Sequence, residues 1–148
     1  MRIILAVDDS PCSKAAVEFV RRTPWQKDAR VIVVTAVATP LPALSLVDAG
    51  GHLLDAEMLE ASRRGARDMV TRIQQDLRDL DLPIQTEVAL GDPREVILRV
   101  AQEHNADLIV VGSHGRSGIP KLLMGSVASH VVTHAPCNVL VVKTSDRR

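Results

Sequence analysis

Arg2-Ile-Ile-Leu-Ala-Val-Asp-Asp-Ser-Pro11 is the stretch that decides the architecture. Ile3 to Val7 is an unbroken apolar run without alternation, which marks a strand covered on both faces, as in parallel sheets. Asp8 and Asp9 end it. Ser10-Pro11 then reads as a helix N-cap followed by a first-turn proline, where the missing N–H has no partner to lose. Ala15, Ala16, Phe19 and Val20 fall at helical spacing behind that cap. A doubly buried strand feeding directly into an amphipathic helix is the opening of an α/β chain.

The alternation continues outward. Val31 to Val37 predicts a second buried strand, and residues 38–55, with Pro40, Pro42 and Gly50-Gly51, predict an irregular segment, the candidate lid or insertion. From about Ala56 to Leu80, Ala66, Val70, Ile73, Leu77 and Leu80 recur every three or four residues. The charged residues between them, such as Arg63, Arg67, Arg72 and Asp76, read as a solvated helix face. Ile84 to Leu90 alternates like a half-exposed strand. Asp92-Pro93-Arg94-Glu95 is a capping box opening a helix through Val96, Ile97, Val100 and Ala101. Asp107 to Val111 is another buried strand, a last helix covers roughly Gly125 to His134, and Asn138 to Lys143 is the final strand. Five strands alternating with four helices predict a single α/β domain over residues 1–148: a three-layer sandwich around a mostly parallel sheet with right-handed crossovers.

Composition narrows the function classes. Of 148 residues 46% are apolar and 24% charged, which is ordinary for a globular protein and excludes a disordered chain. Lys+Arg and Asp+Glu are equal at 18 each, without the basic excess of a nucleic-acid binder. Phe19 and Trp25 are the sole aromatic residues, too few for base-stacking platforms. No apolar stretch approaches the ~18 residues of a membrane span, and the run at Ile3–Val7 is too short for a signal-peptide core. Cys12 and Cys137 form no CxxC and read as reduced thiols, so a cytoplasmic location is expected.

In open α/β sheets, ligands bind beyond the carboxyl ends of the strands. After the first strand stand Asp8, Asp9 and Ser10; after the fourth stands Gly112-Ser-His-Gly115-Arg-Ser-Gly118, with Gly125-Ser126 opening the last helix. Such glycines let backbone N–H groups approach an anion, and a helix start adds partial positive charge. Residues 116–124, with Arg116 and Lys121, are placed to wrap over a phosphate ligand. GxxxxGK[ST] and GxGxxG are both absent, which excludes a P-loop and a dinucleotide fingerprint. His130 and His134 have zinc-ligand spacing, but no third ligand is evident, and helix capping and packing explain them better. No metal site and no catalytic residue is predicted.

Gly112-x2-Gly115-x9-Gly125-Ser126 resembles the nucleotide-binding signature of the universal stress protein family. The opening Ile-Leu-Ala-Val-Asp-Asp-Ser and the closing His134-Ala-Pro-Cys-Asn-Val-Leu-Val-Val142 resemble it too, so the likeness spans the chain. It implies a Rossmann-like fold of the adenine nucleotide alpha hydrolase type and membership of the ATP-binding, glycine-loop subgroup. Ala6, Val7, Asp8 and Val37, within the segment Ala36–Ala38, would hold the adenosine part. Gly112, Ser113, His114, Gly115, Gly125, Ser126 and Val127 would hold ribose and phosphates, with Mg²⁺ bridging the latter. ATP is the expected nucleotide, with AMP and ADP as alternatives. The family departs here at Asp9, where many members have glycine, and at Asn138, where many have proline. The implied function is a nucleotide-dependent stress-response module with little or no turnover; a slow ATPase and a nucleotide-free dimeric adaptor are the alternatives. The resemblance also puts the first strand centrally and the third and fifth at the edges. The uncharged run in Asn138–Lys143 then predicts a homodimer paired through that strand.

Overall fold

The computed structural model describes residues 1–38, 49–115 and 124–144, with the side chains of residues 49–55 outside that set. In chain order the elements are β1 (Arg2–Ala6), α1 (Pro11–Arg22), β2 (Arg30–Val37) and α2 (Ala49–Asp76). A 3-10 turn at Arg78–Leu80 leads to β3 (Ile84–Leu90), α3 (Pro93–Glu103), β4 (Leu108–Gly112), α4 (Ser126–His134) and β5 (Asn138–Val142). The sheet runs β3-β2-β1-β4-β5, and all four pairings are parallel. The edge positions of β3 and β5 and the central place of β1 agree with the expectation.

Register sorts the apolar runs onto two faces. Ile4 lies level with Ile32 and Ile109, and with Ala6, Val34 and Val111 these residues pack under α3 and α4. Ile3, Leu5, Val31, Val33 and Val110 pack on the other face with Ala16 and Val20 of α1 and Val70 of α2. Ile3, Ile4 and Leu5 are each 0% exposed, so β1 alternates between two cores, and each such side chain contributes about 1.5–3 kcal/mol. That is why its sequence shows no polar alternation.

Two boundaries differ from expectation. α2 begins at Ala49, so Gly50-Gly51 lie inside a helix of 28 residues despite costing about 1 kcal/mol each relative to alanine. The same helix ends at Asp76, yet the Leu77 N–H still donates to the Ile73 carbonyl, and its side chain is 0% exposed in the core with Val31, Val33 and Val70. Asp81, at φ 51°, closes that turn in the left-handed region. The rest of the candidate lid, residues 39–48, lies outside the described residues.

Two placements position the site. The chain leaves β1 for β2 on one side, whereas β4 joins β1 on the other, so the strand order reverses between β1 and β4. On one face α1 packs toward β4 and β5 while α2 packs over β2 and β3, leaving a furrow between the two helices.

Candidate functional site

Beyond the reversal point, the exits of β1 and β4 are tied to each other. The N–H of Asp8 donates to Ser13 Oγ at 2.9 Å, and Asp8 Oδ1 accepts from the Ser10 N–H at 3.0 Å. Ser10 is the N-cap of α1, accepting from the Ser13 N–H at 3.1 Å, while its hydroxyl donates to the His114 carbonyl at 3.2 Å. One buried serine thus caps a helix and tethers the glycine loop.

The glycines divide into two physical roles. A Cβ on Gly112 would lie 2.7 Å from the Cys12 carbonyl carbon and 2.9 Å from the Ser13 nitrogen, because α1 begins directly against the end of β4. Gly112 is therefore required for packing. A Cβ on Gly115 would lie 3.0 Å from Asp8 Oδ2, so the Asp8 carboxylate faces the loop across a gap that any larger residue would fill. A Cβ on Gly125 would lie 3.2 Å from both the His114 Cα and the Ser113 carbonyl oxygen. The Gly125 N–H donates to that carbonyl at 2.8 Å, and the Ser113 N–H donates to the Val142 carbonyl at 2.8 Å. Gly125 is the N-cap of α4, and among the described residues no side chain caps it. Ser126 behind it is exposed. The first N–H groups of α4 therefore point out beside the glycine loop, an arrangement suited to an anion.

Cys12 lies beneath this loop. Ser113 Oγ donates to its sulfur at 3.6 Å and lies 3.0 Å from His114 Nδ1. Burial alone would raise the thiol, but hydrogen bonds from Ser113, Thr144 and the His114 backbone outweigh it and hold Cys12 below its ordinary pKa. For Cys137 burial dominates and pushes the thiol up.

The furrow between α1 and α2 forms a cleft of about 1120 Å³. Asp8, Asp9 and Ala36–Ala38 line its upper end, Val17, Ala66, Met69 and Ile73 supply its apolar walls, and Arg72, Asp76 and Asp79 stand lower down.

Of the residues expected to hold a nucleotide, Asp8 and Val37 meet in this cleft. Gly112, Ser113, His114, Gly115, Gly125 and Ser126 cluster on the loop side, joined to Asp8 through Ser10 and the Gly115 contact. Ala6 and Val7 are each 6% exposed, packed in opposite cores, and neither lines the cleft. Val127 is half-buried against the α3–α4 core. Arg116 and Lys121 lie outside the described residues. Ser10 and Ser13 were missed as tethers, because their partners are fixed only when α1 meets β4; Arg72, which reads as part of a solvated helix face, lines the cleft instead. His130 and His134 stack with ring centroids 4.2 Å apart, and His134 Nδ1 donates to the His130 carbonyl at 2.9 Å. Among the described residues no group of three or more His, Cys, Asp or Glu side chains is arranged to hold a metal ion.

Comparison with known proteins gives the class. The model of the universal stress protein family matches residues 1–143, and the chain belongs to that family. It is 31% identical over 142 residues to universal stress protein MJ0531 of Methanocaldococcus jannaschii, covering 96% of this chain and 81% of the relative. Among solved structures it resembles universal stress protein UspA from Lactobacillus plantarum, with a TM-score of 0.78 at 28% identity over 96% of this chain and 97% of the other. Two more distant structures share the fold. A universal stress protein in complex with cAMP has a TM-score of 0.63 at 24% identity, covering 98% of each chain. An Arabidopsis thaliana family member with AMP bound has a TM-score of 0.64 at 18% identity, covering 99% of this chain and 93% of that one.

Proposed function

We propose that this universal stress protein binds an adenine nucleotide, with ATP as the ligand, and acts as a nucleotide-dependent stress-response module with little or no turnover. The observation that carries the reading is the opposition of Asp8 to Gly115 at the β1–β4 reversal point, beside the uncapped start of α4. The nucleotide complexes of the two distant relatives support the ligand class. In this reading Asp8 accepts from ribose hydroxyls, and the backbone at Ala6, Val7 and Val37 borders the adenosine. Gly112, Ser113, His114, Gly115, Gly125, Ser126 and Val127 border ribose and phosphates; the Ser113 and Gly125 N–H groups are held by backbone carbonyls, so the first N–H groups of α4 are the donors that face the phosphates. Mg²⁺ would travel on the phosphate oxygens, since it is normally held by substrate phosphates and waters with one or two carboxylates. Backbone donors bind phosphate without supplying a general base, which favours turnover far below the ~1 s⁻¹ of dedicated enzymes.

Gly115→Val fills the gap in front of Asp8 and is expected to abolish ATP binding in calorimetry while leaving the fold intact. Equal affinity in variant and wild type would refute the site. Mass spectrometry of ligand released from freshly purified, denatured protein identifies the nucleotide and distinguishes this reading from a nucleotide-free adaptor.

Assembly and location belong to the same proposal. At the sheet edge β5 pairs, among the described residues, with β4 alone, and Val139 to Val142 are half-buried. Pairing with the same strand of a second copy would satisfy the outer backbone groups in a closed two-fold dimer. Sedimentation showing a monomer at high micromolar concentration would refute this. A cytoplasmic location is supported by two cysteines that are both free thiols.

A further inference from the structure

Ser13 is 3% exposed and stands where the parts of the candidate site meet. Its hydroxyl oxygen accepts from the Asp8 N–H at 2.9 Å, and its own N–H donates to Ser10 Oγ at 3.1 Å. The Ser10 hydroxyl carries the chain on to the His114 carbonyl at 3.2 Å. The Ser13 nitrogen also lies against the end of β4, 2.9 Å from the place of a Cβ on Gly112. Two hydroxyls at the start of α1 thus join the exit of β1 to the glycine loop, and they divide the work. The Ser10 side chain holds the loop, and the Ser13 side chain holds the peptide of Asp8. That peptide decides where the carboxylate goes. Asp8 lies past the end of β1 at Ala6, and its N–H is taken by Ser13 instead of a neighbouring strand. Asp8 Oδ1 accepts from the Ser10 N–H at 3.0 Å, while Oδ2 faces the loop, 3.0 Å from the place of a Cβ on Gly115. One carboxylate oxygen is tied down and the other is presented across the gap.

We propose that Ser13 is the positioning residue for ribose recognition: by holding the Asp8 N–H it aims the Asp8 carboxylate at the sugar, so that the protein selects nucleotides with both ribose hydroxyls over their dideoxy counterparts. The inference rests on the nucleotide reading above and deepens it. Ser13 acts through Asp8. Without its hydroxyl the Asp8 N–H loses its partner, and the segment bearing the carboxylate can turn away from the gap. A purely structural role for Ser13 predicts something different: a loosened α1 weakens every nucleotide by the same factor. A positioning role removes the preference for the hydroxyls themselves, which is a coupling between residue 13 and a part of the ligand.

ATP and 2′,3′-dideoxy-ATP are titrated calorimetrically into nucleotide-free wild type, Ser13→Ala and Thr23→Ala. Wild type should prefer ATP by about tenfold, the worth of a hydrogen bond to a charged acceptor. In Ser13→Ala that preference should shrink to about twofold or less, the margin within which independent effects add. Thr23→Ala weakens α1 at its other end, where the Thr23 hydroxyl donates to the Phe19 carbonyl at 2.7 Å, and should keep the full preference. Ser13→Cys, close in size with a sulfur that accepts weakly, carries the same comparison if the alanine variant does not fold, and its preference should also shrink. Equal weakening of both nucleotides with the preference intact would overturn the proposal, as would loss of the preference in Thr23→Ala. A wild type that binds ATP and the dideoxy compound equally would overturn it too, while leaving nucleotide binding standing. A wild type that binds neither would refute the nucleotide reading on which it rests.

Discussion

Replacing Gly112 with alanine tests whether this glycine serves packing, as the geometry says, or only the anion. The added Cβ would lie 2.7 Å from the Cys12 carbonyl carbon and 2.9 Å from both the Cys12 Cβ and the Ser13 nitrogen. All three are short of an ordinary contact, and two belong to backbone that cannot rotate away. Relief requires the first turn of α1 to lift from the end of β4. That strains the Ser10 cap and the 3.6 Å bond from Ser113 to Cys12. Overpacking of this kind costs about 1–3 kcal/mol, and the backbone contacts put Gly112→Ala at the upper end. For a chain of this size a loss of about 2–3 kcal/mol lowers Tm by roughly 5–10 °C. Thermal unfolding followed by circular dichroism measures it, and the labelling rate of Cys12 by a thiol reagent should rise in parallel. Gly65→Ala is the control: its Cβ enters open space inside α2, where alanine is favoured by about 1 kcal/mol, so its Tm should hold or increase. A Gly112→Ala protein melting within about 1 °C of wild type would refute the packing argument.

Ser10→Ala removes the α1 cap and the tether to His114 together, and is expected to cost about 1–2 kcal/mol in chemical denaturation. A loss confined to a few tenths would mean that the tether contributes nothing. Asp92, the N-cap of α3, is held down to about 2 by the Arg94 guanidinium and backbone N–H, from an ordinary value of 3.8. The depressed carboxyl stabilises the fold fully above that ordinary range and loses the contribution as pH falls through it toward 2. Its side chain is 38% exposed, so solvent screens the ion pair and the cap carries most of the effect. Asp92→Ala should therefore melt about 1 kcal/mol less stable at pH 7, with the gap closing between about pH 4 and 2; a gap constant with pH contradicts the assignment.

Much of this architecture was legible because burial on two faces leaves a direct trace in sequence. The runs at Ile3–Val7 and Val31–Val37 coincide with β1 and β2 to within a residue or two, and the Ser10 and Asp92 caps fall where the side chains suggest. The start of α2 was not legible. Gly50-Gly51 are poor helix formers, and packing further along a 28-residue helix overrides local preference. Within the candidate site, the placement of Asp8 and the glycine loop at neighbouring strand ends could be read, but the division of labour among the glycines could not. Gly112 is constrained by α1 crossing the end of β4, a contact between residues a hundred positions apart. The α1–α2 cleft was hidden for a similar reason. Arg72 and Asp76 carry the spacing of a solvated face, and only the position of α1 toward β4 turns that face into a wall.

The bond from the Ser113 N–H to the Val142 carbonyl has a consequence for biosynthesis. The loop after β4 is fixed from behind by β5, whose residues leave the ribosome long after the loop itself. At about 5–20 residues per second, a nascent chain spends a second or more with its glycine loop made but unanchored. Ser113 gains its last backbone partner when the fifth strand docks beside the fourth. Under the proposed nucleotide reading, the site is complete only once β5 has docked, and a ribosome stalled short of β5 would hold the glycine loop without that anchor.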